Sequence, residues 1–320
     1  MDHLRVAVAV LTDAEGRVLV AHRAAARHQG GRLELPGGKI EPGETPEAGL
    51  ARELAEELGV HPTRSAPLIR VRHDYGDRRV ELDTFRVTAW EGRPHGREGQ
   101  AIEWQPVDAL DPARFPAANR PILAALQWPA TGLVTPELPD DDRVSERLHD
   151  GVLRAVEAGV RLVQLREPAW SEERLLAAAE RLAGLSNRGV RLLVNAPLDV
   201  ADALPPGVGL HLSARRAAAV DRRPFDRSRY FSASAHDLAE VRQAERIGVD
   251  CAFVGPVHAT ASHRSARALG WEGVRALATR TTTPLYGLGG LGPTDLRRAR
   301  GVGLIGIAGI RGFWTPSDAN

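Results

Sequence analysis

The chain has 320 residues, of which 43% are hydrophobic and 26% are charged, and its formal net charge is +1. Such balance excludes binding driven by bulk charge, so we expect neither bulk nucleic acid nor a membrane surface as a partner. The length predicts two domains. A single cysteine, Cys251, excludes intrachain disulfides and thiolate-rich zinc sites, and we expect it to be a buried thiol.

The first residues, MDHLRVAVAVLTD, contain an apolar run that is too short to span a bilayer and no signal-like cleavage region. Cytoplasmic residence is the resulting expectation.

Residues 5–11 and 17–21 have the composition of β-strands. A second pair of strands is predicted at 66–73 and 79–88, on either side of a turn at 75–77.

A helix is predicted over residues 46–58 because both of its ends are marked. Thr45 can cap the first turn, Pro46 suits the first helical position, and Gly59 stands where helices usually end. The face that should pack inward carries four apolar side chains. These are Ala51, Leu54, Ala55 and Leu58.

The opposite face of this helix collects carboxylates. Glu53, Glu56 and Glu57 fall within an arc of about 100°, and Glu44 precedes the helix. Like charges at this spacing repel one another unless a cation lies among them. Hard divalent ions prefer oxygen ligands, and Mg2+ commonly keeps phosphate oxygens in its coordination shell. The pattern therefore predicts Mg2+, or Mn2+ in its place, and a polyphosphate substrate.

The alternative is an acidic face that is simply solvated surface, which is common. Solvated surface would be a sufficient explanation if the sequence contained only the short motif EExG. The whole segment from Gly38 to Val60, GKIEPGETPEAGLARELAEELGV, also contains two positioned glycines, a glutamate before the helix and an arginine one turn before Glu56. These fixed offsets favour a metal site over plain surface.

This segment matches the Nudix box at every defining position. Residues 1 to about 127 resemble MutT-type 8-oxo-dGTP diphosphatases, and the shared stretches include LELPGGKIEPGETPE, EGRPHGREGQ and FPAANRP. The resemblance implies a Nudix α/β/α sandwich. It also implies a nucleoside triphosphate substrate that water attacks at the β-phosphorus, releasing a nucleoside monophosphate and pyrophosphate.

The resemblance also implies roles for individual residues. Glu98, from a distant loop, would be a further metal ligand or general base. Arg52 would orient a box glutamate through a charge-assisted bond, and Glu44 would support the loop. The implied metal ligands are the carbonyl of Gly38 and the carboxylates of Glu53, Glu56, Glu57 and Glu98.

Two further positions match nucleotide-contacting residues of MutT-type enzymes. Arg23 would contact the nucleotide, and Asn119 would read the oxidised guanine. The alternatives are an ordinary strand-end cation at Arg23 and a helix cap at Asn119, before a helix predicted over 119–126. Leu35 stands where an aromatic residue is familiar, so base packing is expected to differ.

The hydrophobic periodicity is interrupted at 128–132, and the pattern of apolar residues differs on the two sides of this break. We therefore place a Nudix hydrolase domain at 1–128 and a second domain at 129–320. Eight short apolar runs alternate with alanine-rich amphipathic segments, as buried parallel strands alternate with crossover helices. Eight such units in about 190 residues predict a compact (β/α)8 TIM barrel, with functional groups at the carboxyl ends of its strands. Those ends hold Gln164, Arg166, Asn195, His211, Ser234, His236, Thr260, Gly289 and Gly290.

The second half resembles the thiamine phosphate synthase and TenI superfamily. The motifs are VQLRE at 163–167, LHLS at 210–213, SASAH at 232–236, VGPVHAT at 254–260 and GLGGL at 287–291. Residues expected in a synthase are replaced: Pro168 stands for a lysine, Ala196 for an aspartate, residues 213–216 for an acidic segment, and 262–264 for a lysine. The departures predict a barrel that lacks Mg2+-dependent synthase activity.

The resemblance leaves two roles for the barrel. TenI-type proteins aromatise a thiazole phosphate carboxylate without metal and use a histidine that matches His236, whose imidazole can exchange protons near neutral pH. Otherwise, His236 caps a helix and the barrel is a noncatalytic ligand-binding or scaffold module. Arg166, Gly289 and Gly290 would bind the substrate, a thiazole phosphate or another phosphate ligand, although glycine is also what crowded barrel turns need.

Three accounts of the whole chain follow. In the first, a hydrolase that removes 8-oxo-dGTP or a related nucleotide is fused to a degenerate synthase-like barrel. In the second, a thiamine-pathway pyrophosphatase is fused to a TenI-like thiazole tautomerase. In the third, the barrel only binds a ligand or acts as a scaffold.

Overall fold

The computed structural model describes residues 2–22, 31–76, 78–139, 141, 143–259 and 267–314. Arg23, Thr260 and residues 262–264, which the sequence analysis singled out, lie outside this part. The described residues form two compact units. The first contains the chain up to Trp128 together with the short segments Ala278–Thr282 and Arg300–Gly303, and the second contains the barrel strands. The domain bounds 1–128 and 129–320 are retained as a proposal.

The first unit is built on two sheets. In the four-stranded sheet, β1 pairs parallel with β6 and antiparallel with β4, and β5 pairs antiparallel with β6. In the three-stranded sheet, β2 lies between two antiparallel neighbours, β3 and β7. The strands are β1 (Asp2–Leu11), β2 (Val18–His22), β3 (Leu33–Glu34), β4 (Gly37–Lys39), β5 (His61–Asp74), β6 (Arg78–Glu91) and β7 (Ile102–Gln105). The four strands predicted from the sequence are present, and the second pair is longer than predicted.

Helix α1 (Pro46–Leu58) has the bounds that its end residues predict. The Oγ1 atom of Thr45 accepts a hydrogen bond from the backbone N–H of Ala48, and Gly59 ends the helix in the left-handed conformation at φ 67°. The side chains of Leu50, Leu54 and Leu58 are buried in a cluster with the small residues of β1. This packing fixes the rotation of the helix and therefore the direction of its acidic face.

A second helix, α2 (Arg120–Gln127), ends the first unit and packs against β5. A single turn of 3-10 helix, Ala117–Asn119, precedes it. The helix predicted over 119–126 is therefore present, although Asn119 itself belongs to the tighter turn.

The second unit is a closed barrel of eight parallel strands, in which the last strand pairs with the first through Ile307 and Thr131. This confirms the predicted TIM barrel. The strands are β8 (Thr131–Val134), β9 (Leu162–Leu165), β10 (Arg191–Asn195), β11 (Gly209–Leu212), β12 (Phe231–Ala235), β13 (Cys251–Val254), β14 (Leu285–Gly287) and β15 (Gly306–Gly309). Cys251 is buried on β13, as expected from the sequence.

The connections between barrel strands depart from the prediction in one place. Between β10 and β11 the chain forms a 3-10 helix, Leu198–Ala203, instead of an α-helix. Pro197 precedes this segment and Pro205 and Pro206 follow it, which leaves too few residues with free N–H groups for an α-helix of ordinary length. The barrel helices are α3 (Val144–Glu157), α4 (Glu172–Ala183), α5 (Ala214–Ala217), α6 (Leu238–Arg246), α7 (Gly270–Ala278) and α8 (Leu296–Gly301).

The barrel begins inside the segment that the sequence analysis treated as a break. Thr131 and Gly132 are the first residues of β8: Thr131 pairs with β15, and Gly132 pairs with both β15 and β9. None of the helices in the described part of the chain combines the length and the apolar character that crossing a bilayer requires.

Candidate functional site

Arg52 on α1 holds the box carboxylates together. Its Nε and Nη2 atoms donate to the two carboxylate oxygens of Glu44 at 2.9 and 3.1 Å. Its Nη1 atom donates to Glu53 at 3.0 Å and to Glu56 at 3.2 Å, and Nη2 also donates to the carbonyl of Lys39 at 2.7 Å. One planar guanidinium thus fixes carboxylates from the helix and from the preceding loop, which is the fork geometry that lysine lacks.

Glu44 is hydrogen-bonded within the loop that precedes α1. Besides accepting from Arg52, its carboxylate accepts a hydrogen bond from the backbone N–H of Glu41 at 2.9 Å. The hydrogen bonds from Arg52, and then the one from Glu41, lower the pKa of Glu44 to about 2. Glu44 is therefore ionised throughout the neutral range and braces the turn before α1.

Glu57 occupies the most enclosed position among the carboxylates of this helix. It accepts the backbone N–H of Gly37 at 3.0 Å. Burial raises its pKa to about 7, against the effect of that hydrogen bond, and the negative charges of Glu34, Glu53 and Glu98 raise it further. Three carboxylates therefore lie within electrostatic reach of Glu57, and their repulsion favours a bound cation.

Gly38 lies directly beneath one of these carboxylates. A Cβ atom at this position would be 2.2 Å from the carboxylate carbon of Glu53. At Gly37, where φ is 135°, a Cβ would be 2.1 Å from the carbonyl oxygen of Ala7. Both glycines are required by close approach of other atoms, so Glu53 rests against the backbone that would supply the predicted carbonyl ligand.

The loop that carries Glu98 is bound to the end of α1. The backbone N–H groups of His95 and Arg97 donate to the carbonyls of Leu58 and Glu57 at 3.1 and 2.9 Å. The side-chain Nε2 of Gln100 also donates to the Glu57 carbonyl, at 3.1 Å. These bonds satisfy carbonyls that a helix end leaves free, and they bring the exposed Glu98 into the electrostatic range of Glu57.

Glu34 is a site residue that the sequence analysis missed. It lies on β3, close enough for its charge to raise the pKa of Glu57 more than the charges of Glu53 or Glu98 do. The signal was present in the sequence, because Glu34 is the acidic residue of the quoted stretch LELPGG. Its proximity to Glu57 is a property of the folded chain, in which β3 pairs with β2.

A hard divalent ion fits the chemistry of this donor set, which consists of carboxylates and a backbone carbonyl. Within the described ranges, no three His, Cys, Asp or Glu side chains are already grouped as a coordination sphere. Arg52 engages Glu53 and Glu56, and the backbone N–H of Gly37 engages Glu57. Each of these hydrogen bonds engages one oxygen of its carboxylate, and the other oxygen is the one that an ion would use.

Asn119 lies in the first unit with 8% of its surface exposed. It stands at the start of α2, but among the described residues its side chain makes no capping hydrogen bond there. The helix-cap alternative therefore does not account for its amide.

Of the two other positions that the resemblance singled out, Leu35 is buried. Arg23 lies outside the described residues.

The barrel has a cavity of about 560 Å3 at the carboxyl ends of its strands. The structure brings most of the predicted strand-end residues together around it. Those lining the cavity are Gln164, Arg166, Asn195, Ser234, His236, Gly289 and Gly290. Arg311, which the sequence analysis did not single out, also lines it.

His211, in contrast, is fully buried and is not among the lining residues. Its ring nitrogens hydrogen-bond Ser232 at 2.9 Å and Ser234 at 2.8 Å. Burial lowers the pKa of His211 to about 3, and the positive charges of Arg166 and Arg216 contribute. His211 is therefore a neutral structural group at neutral pH.

His236 is held by a carboxylate on the next helix. Its Nδ1 atom hydrogen-bonds Glu240 at 2.8 Å, and its backbone N–H donates to the same oxygen at 2.6 Å. The residue that caps α6 is Asp237, whose side chain accepts from the N–H of Glu240. With Nδ1 engaged, Nε2 is the ring nitrogen that a ligand in the cavity can use.

The two predicted phosphate-binding glycines are also required by crowding. Gly289 and Gly290 have φ values of 97° and 69°. Added Cβ atoms would lie 2.6 Å from Pro256 and 2.9 Å from His258. Their presence is thus explained by the turn itself, and phosphate binding by their backbone amides stays a prediction.

Comparison with known families divides the chain between two families. The thiamine monophosphate synthase family matches residues 133–313, and the NUDIX domain family matches residues 1–126. The chain is 39% identical over 127 residues to an 8-oxo-dGTP diphosphatase of Escherichia coli (strain K12), which covers 40% of this chain and 98% of that protein.

Two further relatives match one half each. A thiamine-phosphate synthase of Chloroflexus aurantiacus is 33% identical over 175 residues, which is 54% of this chain and 81% of that protein. A CTP pyrophosphohydrolase of E. coli (strain K12) is 34% identical over 119 residues, which is 37% of this chain and 87% of that protein. The chain therefore belongs to the Nudix hydrolases through its first unit and to the thiamine monophosphate synthase family through its barrel. The predicted fusion of these two families is confirmed.

Proposed function

We propose that the first unit hydrolyses 8-oxo-dGTP, or a closely related oxidised nucleotide, to the monophosphate and pyrophosphate in a Mg2+-dependent reaction. The observation that carries the proposal is the identity of 39% to an 8-oxo-dGTP diphosphatase over 98% of that protein's length. The crowded carboxylates around Glu57 support the metal requirement, because like charges at this density need a cation.

The residues that would hold the metal are the carbonyl of Gly38 and the carboxylates of Glu53, Glu56, Glu57 and Glu98. When bound, a divalent ion would neutralise phosphate oxygens and lower the pKa of water. Mn2+ meets the same oxygen preference and is the expected substitute.

The protein's own contribution is orientation. Arg52 sets the directions of Glu53 and Glu56, and the N–H of Gly37 sets that of Glu57. The carboxylate of Glu98 would serve as general base or as a further ligand, because its loop is fixed on the end of α1. Holding reacting groups in place in this way accounts for a large share of the barrier reduction in comparable enzymes.

Asn119 is proposed to recognise the base. Its side chain is mostly buried yet makes no capping bond within the described residues, so its amide is available to donate to and accept from a purine edge. Arg23 is proposed to contact the nucleotide on the strength of the family resemblance alone.

A panel of pyrophosphates tests this function. The full-length chain is incubated with Mg2+ and 8-oxo-dGTP, dGTP, CTP, thiamine diphosphate or hydroxymethylpyrimidine diphosphate, and release of the monophosphate is measured. We expect kcat/KM for 8-oxo-dGTP to exceed that for dGTP by at least about 100-fold, equivalent to about 2.7 kcal/mol. A preference for CTP, or for the two thiamine-pathway compounds, would replace the proposal by the corresponding pyrophosphatase.

For the barrel, we propose that it does not act as a thiamine phosphate synthase. The aspartate expected of a synthase is Ala196, and the expected acidic segment contains Arg216, which donates to Asn195 at 3.2 Å. The candidate activity is TenI-like tautomerisation of a thiazole phosphate carboxylate, with Nε2 of His236 moving the proton. The observation that favours it is the position of His236 on the cavity wall with Nδ1 held by Glu240.

Tautomerisation is measured by the change in ultraviolet absorbance of the thiazole as it becomes aromatic. We expect the wild-type chain to be active and His236→Asn to lose activity, with His149→Asn on α3 as the matched control. Activity that survives His236→Asn would remove the proposed catalyst. A wild-type chain without activity would leave the ligand-binding or scaffold role for the barrel.

A further inference from the structure

The barrel cavity has an unbalanced set of charged side chains. Arg166 and Arg311 line it, whereas no aspartate or glutamate is found among its described lining residues. The family resemblance implies a synthase that uses Mg2+, and proteins hold Mg2+ mainly through carboxylates and substrate phosphates. The residues that line this cavity do not fit such an ion.

The orientation of the Asn195 amide follows from its partner. The Nη1 atom of Arg216 donates to Oδ1 of Asn195 at 3.2 Å. A guanidinium can only donate, so the amide oxygen must face Arg216 and Nδ2, with two N–H groups, is left for another partner. Because Asn195 lines the cavity, a ligand there meets a hydrogen-bond donor.

Gln164 supplies an independent sign of a ligand. Its side chain lines the cavity and the residue is only 2% exposed. Its Nε2 atom finds no acceptor among the residues that the structure describes. A buried N–H group without an acceptor is costly, and a ligand that brings an acceptor removes that cost.

Arg216, unlike Arg166, has no carboxylate partner among the described residues. His211 is buried and uncharged at neutral pH, and the charges of Arg166 and Arg216 both act on it. Arg166 forms an ion pair with Glu137, whose side chain is 48% exposed. The nearby Glu167 is buried, accepts the N–H of Leu138, and has its pKa raised by burial. The cavity therefore presents donors and cations on the side formed by β9 and β10.

We infer that this cavity binds a small anion directly, without a divalent metal, through Arg166, Gln164 and Asn195. Arg216 is the positioning residue that orients Asn195. The ligand class is defined by phosphoryl or carboxylate oxygens, which share the chemistry that these donors recognise. The inference goes beyond the proposed tautomerase, because it holds whether or not His236 transfers protons.

Direct binding in the absence of divalent metal tests the inference. The full-length chain is treated with EDTA, dialysed until the EDTA is removed because EDTA is itself a polycarboxylate, and titrated calorimetrically with inorganic phosphate and, separately, with malonate. The two probes separate a phosphoryl from a carboxylate ligand. EDTA also removes the cations that an anion would need at the carboxylates of the first unit, so heat reports on the barrel. We expect at least one probe to bind with a Kd below about 1 mM.

Matched variants locate the binding. Asn195→Asp replaces the donor Nδ2 by a charged acceptor without changing shape, and we expect affinity to fall at least about 10-fold. Asn187→Asp, at an exposed position in the same unit, changes the net charge equally and should alter Kd less than about 2-fold. Arg166→Gln should weaken binding to the same degree as Asn195→Asp, whereas the exposed Arg215→Gln should not.

The positioning role of Arg216 is tested by a measurement that a purely structural role would leave unchanged. Arg216→Lys keeps a group that only donates, so Asn195 keeps its orientation and Kd should stay within about 3-fold of wild type. Arg216→Met removes the donor and should weaken binding at least about 10-fold, with the thermal midpoint of both variants unchanged.

Three results would overturn the inference: no binding of either probe to the metal-free chain, binding that appears only when Mg2+ is added, or equal losses in Asn195→Asp and Asn187→Asp. The Mg2+ arm is run on Glu53→Gln/Glu57→Gln, in which the proposed metal site of the first unit is disabled. The panel of pyrophosphates and the tautomerase assay are separate measurements, so failure of either one does not decide this result.

Discussion

The carboxylate of Glu53 lies against the backbone of Gly38, so closely that a Cβ at position 38 would be 2.2 Å from its carbon. Gly38→Ala should therefore displace Glu53 from the position that Arg52 sets for it. Misplacement of a catalytic group by about 1 Å can lower turnover about 100-fold, and we expect a loss of that order in 8-oxo-dGTP hydrolysis. Gly184→Ala, where an added Cβ meets no atom within 4 Å, should keep full activity. Wild-type turnover in Gly38→Ala would show that Glu53 can move without consequence.

Removing one carboxylate of the proposed metal site should abolish most hydrolysis while the fold persists. Glu53→Gln and Glu57→Gln are expected to lower kcat at saturating Mg2+ by at least about 100-fold, because an amide is a poor ligand for a hard cation. Glu47→Gln makes the same charge change at an exposed position in the first turn of α1 and should be silent. EDTA should abolish wild-type hydrolysis, and Mg2+ or Mn2+ should restore it. Undiminished turnover in either site variant would contradict the site.

The contacts of Arg52 require a planar fork, which a lysine ammonium cannot reproduce. Arg52 donates to Glu44, Glu53, Glu56 and the Lys39 carbonyl at once. Arg52→Lys should therefore lower kcat about 10-fold or more and change KM less, because orientation of the carboxylates matters most during the chemical step. Steady-state kinetics of this variant and of Arg17→Lys, at an exposed salt bridge, provide the comparison. Equal values of kcat for Arg52→Lys and wild type would show that charge alone is sufficient.

His211 should make the stability of the barrel depend on pH. Its pKa is about 3 in the folded chain, against about 6.5 in an unfolded one. Between these values the unfolded state binds one more proton, so the free energy of unfolding falls as the pH falls. From pH 6.5 to pH 5 the contribution of this residue is a loss of about 1.5 kcal/mol.

Urea unfolding of wild type and His211→Asn at a series of pH values checks this slope. The barrel transition is identified as the one that the substitution shifts at pH 7. The variant should lose about 1.5 kcal/mol less than wild type over the same interval. Identical pH slopes would mean that His211 is protonated in the folded chain at mildly acidic pH.

Much of the fold could be predicted because its elements depend on residues that are close together in the sequence. The bounds of α1 follow from Thr45, Pro46 and Gly59, and each of these residues acts within one turn of the helix. The eight barrel strands are short apolar runs at regular spacing, and a closed parallel barrel buries them all. The connection at Leu198–Ala203 departed from the pattern, since prolines on both sides limit the helix.

The box helix, the list of its carboxylates and the number of barrel strands could be predicted from local sequence, because helix caps, periodicity and motif spacing involve residues near one another in the chain. Which distant groups meet these residues depends on how the chain folds. The proximity of Glu34 to Glu57, the attachment of the Glu98 loop to the end of α1, and the bond from Arg216 to Asn195 depend on sheet pairing and barrel closure. Contacts of this kind join residues far apart in sequence, and no local pattern specifies them.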